Sequence, residues 1–327
     1  MKKWIMIFTA LGALHGGGAA ERSLSAPGPF TVETLDLEWR DTKRQREVPV
    51  KIYFPKNATS PCPVIVFSHG LGGTRNNYEY LGQHWAGHGY VVAHVQHHGS
   101  DDAAWRGAAS PGDTLRAAMN VENSVNRPLD VSFVLDQLTD FNGQDGTLRG
   151  RMDMKRVGVA GHSFGAFTTL AVAGQKFALG DRSFADARVK AAIAMSAPVP
   201  RRPPEKNYAA ILIPIFHFTG TADESPLLND TTAKNRRVPF DSIQNAPQFL
   251  ITFQDGDHMI FSGRSTAFSA EKKSAMLDVI RESTTRFWDA YLHDDAAAKS
   301  WLTNGGAKTA LGELGGLEMK PSPPAAR

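Results

Sequence analysis

The 327-residue sequence has a single cysteine, little excess of either charge and no long apolar run. Each scarcity closes off a class of function. With Cys62 alone, no intrachain disulfide can form and no zinc site built from several thiolates is possible. Cys62 lies between Pro61 and Pro63 ahead of an apolar run, and no helix start follows it to lower its pKa, so it reads as a small packed residue, not a catalytic thiol. Lys and Arg number 36 against 33 Asp and Glu, a formal net charge of +3, and Lys2 and Lys3 supply most of that excess. The remainder is close to neutral and has no Lys/Arg run, which gives no electrostatic reason to expect nucleic acid or an anionic membrane as partner. Thirty Gly and 19 Pro are near the usual background and exclude collagen-like or low-complexity architectures.

What is present begins with Lys2 and Lys3, an apolar-rich stretch over residues 4–14, and then Gly16, Gly17, Gly18, Ala19 and Ala20 before Glu21. This order of charge, apolar run and small residues is that of an export signal, and the run is far short of the roughly 20 residues that span a bilayer. The expected organisation is a signal peptide over residues 1–20 cleaved near Ala20, one domain over residues 21–304, and a flexible tail over residues 305–327, rich in Gly and Pro. The mature chain is expected outside the cytoplasm, periplasmic or secreted, with no integral membrane segment.

Residues 31–37 and 47–54 alternate apolar and polar positions, as the two half-exposed strands of an antiparallel hairpin do. The pattern then changes. Residues 64–67, 91–93, 157–160, 191–194 and 213–216 are short continuous apolar runs, as expected of parallel strands buried on both faces, and residues 248–253 form a last strand. Helical patterns over residues 78–88, 128–138, 164–177 and 276–292 alternate with them. The expected fold class is α/β, a mostly parallel central sheet flanked by helices, with function at the carboxyl ends of the strands. Residues 96–126, 199–208 and 223–238 are too polar and irregular for the scaffold, and each follows a strand end, so together they could rim a site.

Gly161-His162-Ser163-Phe164-Gly165 is a Gly-x-Ser-x-Gly motif between an apolar run and a helical pattern, the strand-turn-helix setting of a nucleophile elbow. Gly161 and Gly165 give clearance for a serine on a strained tight turn, and the helix start aims free N–H groups at developing negative charge. A serine hydroxyl needs a histidine base and an acid that orients it. His258 follows the last strand, and Asp223 follows the strand before it, giving the order Ser163, Asp223, His258. Glu224, Asp255 and Asp257 compete for the acid's role. After the run at 64–67, Ser68-His69-Gly70-Leu71-Gly72-Gly73 can turn a backbone N–H into the site without obstruction, which makes Leu71 one oxyanion donor and Phe164 the other. Phosphate-loop and dinucleotide fingerprints are absent. His94, His97, His98, Asp101 and Asp102 have the chemistry of metal ligands, but no His-Glu-x-x-His helix accompanies them, and no metal or other cofactor is expected.

These blocks, together with Trp105-Arg106-Gly107, Arg127-Pro128-Leu129-Asp130 and Thr219-Gly220-Thr221-Ala222-Asp223, resemble the α/β-hydrolase superfamily, and within it the bacterial platelet-activating-factor acetylhydrolase-like and dienelactone-hydrolase-like serine esterases. The chain is more distantly similar to secreted polyester hydrolases. The resemblance implies an α/β-hydrolase fold, Ser163, Asp223 and His258 as triad, and Leu71 with Phe164 as oxyanion donors. Dienelactone hydrolases use cysteine where Ser163 stands. The function expected is hydrolysis of short-chain acyl esters, lipid or phospholipid esters among them, through an acyl-enzyme. The alternatives are an amidase or peptidase, a polyester hydrolase, or a non-catalytic binding module on the same scaffold.

Overall fold

The computed structural model describes residues 23–144, 146–176, 182–199, 204–225 and 232–321. The expected signal peptide, residues 1–20, lies outside them. Nine strands among the described residues form one sheet: β1 (Val32–Asp41), β2 (Arg46–Pro55), β3 (Cys62–Ser68), β4 (Val91–Val95), β5 (Met152–His162), β6 (Val189–Met195), β7 (Ile215–Ala222), β8 (Gln248–Asp257) and β9 (Gly315–Lys320). Their order is β1-β2-β4-β3-β5-β6-β7-β8-β9. The hairpin β1–β2 is antiparallel, as its alternation predicts, and the pairs β4–β3, β3–β5, β5–β6, β6–β7 and β7–β8 are parallel.

The helices are α1 (Glu79–Gly87), α2 (Pro111–Ala118), α3 (Val121–Gly143), α4 (Phe164–Ala173), α5 (Pro204–Tyr208), α6 (Val238–Ser242), α7 (Ala270–Leu292), α8 (Ala296–Thr303) and α9 (Gly306–Leu311). The sheet's period of two divides its apolar side chains between two cores. Val64 and Val66 of β3 pack with Val131 and Leu135 of α3 and Leu170 of α4. Ile65 and Phe67 face the other way, toward Trp85 of α1 and Ile280 and Trp288 of α7. A sheet covered on both faces leaves its rims for function, and at the carboxyl rim β5, β6, β7 and β8 end side by side.

The expected flexible tail needs correction. Residues 306–311 form α9 and 315–320 form β9, joined by a 3-10 turn over Gly312–Leu314; Ala307 and Leu311 are buried, and β9 pairs antiparallel with β8 from Gln248↔Lys320 to Phe253↔Gly315. A Cβ at Gly315 would lie 2.2 Å from the Thr252 carbonyl oxygen, so this glycine permits close backbone approach and does not mark looseness. Residues 322–327 lie outside the described part. Among the described residues, no helix is long and apolar enough to cross a membrane.

Candidate active site

Ser163 stands between the last residue of β5 and the first of α4, with φ 55° and ψ −119°, a conformation that L side chains rarely adopt. Its N–H donates to the Met195 carbonyl of the neighbouring strand at 2.9 Å, which holds the strained turn in place. The flanking glycines are required sterically: a Cβ at Gly165 would sit 1.9 Å from the Ser68 carbonyl oxygen, and one at Gly161 2.4 Å from that of Gly165. The elbow therefore presses against the end of β3, beside the loop that carries Leu71.

His258 follows β8, and its Nε2 lies 3.0 Å from Ser163 Oγ. On the other side of the ring, Nδ1–H donates to Asp223 Oδ1 at 2.8 Å. That bond fixes the tautomer and leaves the Nε2 lone pair to accept the serine proton. Asp223, directly after β7, is fully buried. Of the competing acids, Asp257 accepts from the Ile260 amide and Ser265 Oγ, Asp255 pairs with Lys272 on the surface, and Glu224 is exposed. Of these four acids, Asp223 is the one bonded to the imidazole. Residues 163, 223 and 258 thus converge as their chain order suggests.

The acid's surroundings come from elements without a local motif. Ser196, with φ 54° just after β6, donates to Asp223 Oδ1 at 2.8 Å, and its Oγ lies 2.8 Å from His258 Nδ1. Thr219 of β7 donates to Oδ2 at 2.9 Å. Arg236, also buried, places Nε 3.5 Å from Oδ1 and donates to the carbonyls of Asp223 and Ser196. Burial alone would push the Asp223 carboxyl up; the hydrogen bond from His258 and the Arg236 charge reverse this and hold it below its ordinary value. None of these partners was singled out from sequence. The one available signal was position, since Ser196 and Thr219 lie at carboxyl ends of apolar runs.

The ring of His162 lies 4.7 Å from that of His258, and its Nδ1 bonds to the Tyr78 hydroxyl at 2.8 Å. Burial, then the His258 charge, hold His162 well below the usual imidazole range, so it adds no second cation beside the base. Burial pushes Tyr78 up to about 12, and its neutral hydroxyl also accepts from the Gly70 amide at 3.3 Å.

Leu71 lies in the loop after β3. Gly72 N–H donates to Ser100 O at 2.9 Å and Trp105 Nε1 to Gly72 O at 2.9 Å, which pins the loop on both sides of its turn. Among the described residues no protein acceptor takes the amides of Leu71 or Phe164, and both residues flank the serine. The cleft above Ser163 has a volume of about 160 Å³. Met119 brings one wall from the expected rim 96–126, and Ser225 another from 223–238. A third wall, Met259, Ser262 and Arg264, follows β8 and was not anticipated, while residues 200–203 of the remaining expected rim lie outside the described part.

The His/Asp cluster after β4 is dispersed among separate partners. His94 donates from Nδ1 to Asn77 O, Asp101 accepts from Gln96, Asp102 pairs with Arg106, and His97 lies between Asp130 and Ser68. Cys62 is buried at the start of β3, with its thiol pushed up by burial.

Two comparisons bear on this site. Residues 14–300 match the family model described as PETase, PET hydrolase-like. The platelet-activating factor acetylhydrolase of Cavia porcellus is 29% identical over 154 residues, 38% of this chain and 34% of that protein. The same-named protein of Canis lupus familiaris is 30% identical over 151 residues, 36% of this chain and 34% of that one. The chain spans about a third of the length of these curated relatives.

Proposed function

Because the chain belongs to the PETase, PET hydrolase-like, family, we propose that it is an exported serine carboxylic-ester hydrolase working through Ser163, His258 and Asp223. The observation that carries the reading is the unbroken hydrogen-bond line from Ser163 Oγ through both imidazole nitrogens to a buried carboxylate. As Oγ attacks the ester carbonyl, His258 Nε2 takes its proton, and Asp223 stabilises the cation that forms. The carbonyl oxygen becomes an oxyanion received by the amides of Leu71 and Phe164. His258 then returns the proton to the leaving alcohol, and water repeats the steps on the acyl-enzyme. No step requires a cofactor.

A cleft of about 160 Å³ is smaller than the several hundred Å³ of most ligand pockets, which favours short acyl groups. Hydrolysis of polyester chains is a second reading, favoured by the family description; Met259, 41% exposed beside the base, would offer an apolar rim to a chain lying across the cleft. The names of the acetylhydrolase relatives extend the substrate candidates to acetyl esters of lipids. The test is a chain-length series of p-nitrophenyl esters, with the matching anilide, on wild type and Ser163→Ala. Hydrolysis of short esters above the anilide, lost in the variant, is expected. Full activity in Ser163→Ala would refute the assignment.

A further inference from the structure

Arg127 of α3 is fully buried, and among the described residues no carboxylate forms an ion pair with it. A buried cation without a paired anion is costly, and here neutral acceptors satisfy it. Nε donates to Thr168 Oγ1 at 2.9 Å, Nη1 to Ser100 Oγ at 2.9 Å, and Nη2 to the His69 carbonyl. Each contact leads toward one of the two amides that the proposed mechanism needs.

On one wall, Thr168 Oγ1 passes its own proton to the Phe164 carbonyl at 2.9 Å, and the Arg127 guanidinium lies 4.6 Å from the centre of the Phe164 ring. The first turn of α4 is thereby held by a hydrogen-bond relay and by the face of its own aromatic side chain. On the other wall, the His69 carbonyl lies two residues before Leu71, and the backbone carbonyl of Ser100, whose hydroxyl takes Nη1, accepts the amide of Gly72, the residue after it. One planar fork therefore brackets Leu71 on both sides and anchors Phe164 as well. Lys could not reproduce this, since its single ammonium has no rigid fork.

We propose that Arg127 is a positioning residue that sets the separation of the Leu71 and Phe164 amides and so shapes the oxyanion hole; this rests on the serine-hydrolase reading above. A buried network beneath the same loop supports the strut. Ser68 Oγ donates to His97 Nε2 at 3.0 Å, and His97 Nδ1 bonds to Asp130 Oδ2 at 3.0 Å, a serine-histidine-aspartate line that closes against the core instead of a cleft. Burial keeps His97 well below the usual imidazole range, so its uncharged ring braces the residue from which the loop departs, while Asp130 is paired with Arg44 and Arg46.

The test compares Arg127→Lys and Thr168→Val with wild type on a short p-nitrophenyl ester and with an alkylboronic acid, whose tetrahedral serine adduct occupies the oxyanion hole. Activity abolished by Ser163→Ala first secures the underlying reading; activity retained there fails that reading without reference to Arg127. For Arg127→Lys, kcat should fall on the order of 10²-fold with KM within about twofold, and boronate affinity should fall in parallel. Thr168→Val, nearly isosteric, should lose kcat on the order of 10-fold with the same parallel, and it decides the matter alone if Arg127→Lys does not fold. A lowered melting temperature with kcat and boronate affinity unchanged would overturn the proposal, as would a loss confined to KM.

Discussion

At the scale of single residues, the proposed chemistry depends on keeping one carboxylate ionised where water cannot reach it. Asp223 accepts from His258, Ser196 and Thr219 and has the Arg236 guanidinium beside it, so its folded-state carboxyl lies below its ordinary 3.8. A group depressed in this way contributes stability that is fully present above its unfolded value and lost as pH falls through the folded one. Asp223→Asn should therefore lower kcat by about 10⁴-fold, because an amide can donate to Nδ1 and fix the wrong tautomer. Its unfolding free energy should also lose less than that of wild type as pH falls through and below 3.8; parallel acid-side curves from urea titrations would contradict the assignment. The juxtaposition of Ser163, His258 and Asp223 was legible because each lies in a local pattern at a strand end. Ser196 and Arg236 were not, because a serine after β6 and an arginine in an irregular segment acquire meaning only when the sheet brings them to the same carboxylate.

At the scale of elements, the elbow is a matter of clearance. Gly165 is the first-turn residue of α4 that lies against the end of β3, and its neighbour there is backbone, which cannot rotate away as a side chain can. Gly165→Ala should lower the stability of the fold by at least about 3 kcal/mol, read as the shift in the midpoint of chemical unfolding. A shift under about 1 kcal/mol would mean that the strand and the helix are not so closely apposed. The Gly-x-Ser-x-Gly spacing made the need for clearance legible in advance, but not that the end of β3 is what stands there. The Gly and Pro content of residues 305–327 led the other way: it reads as looseness, but the partner strand β8 imposes extended structure on Gly315 and Gly316. Local propensity loses to tertiary pairing where an edge strand offers a complete row of backbone donors and acceptors.

At the scale of the whole molecule, function is a consequence of strand order. Parallel connections put the ends of β5, β7 and β8 on one rim, and only β6 intervenes between the serine's strand and the acid's. Continuous apolar runs alternating with helical patterns made the parallel centre of the sheet legible, and alternation in residues 31–54 did the same for the hairpin. The third wall of the cleft escaped because Met259 to Arg264 follow His258 so closely that nothing in composition separates them from β8. Convergence of the three side chains is the claim from which the rest follows, and covalent labelling measures it most directly. A fluorophosphonate probe followed by mass mapping should place its adduct on Ser163 in the wild type, with labelling reduced by several orders of magnitude in His258→Ala. Esterase activity with no adduct at Ser163, or labelling that is indifferent to loss of His258, would contradict it.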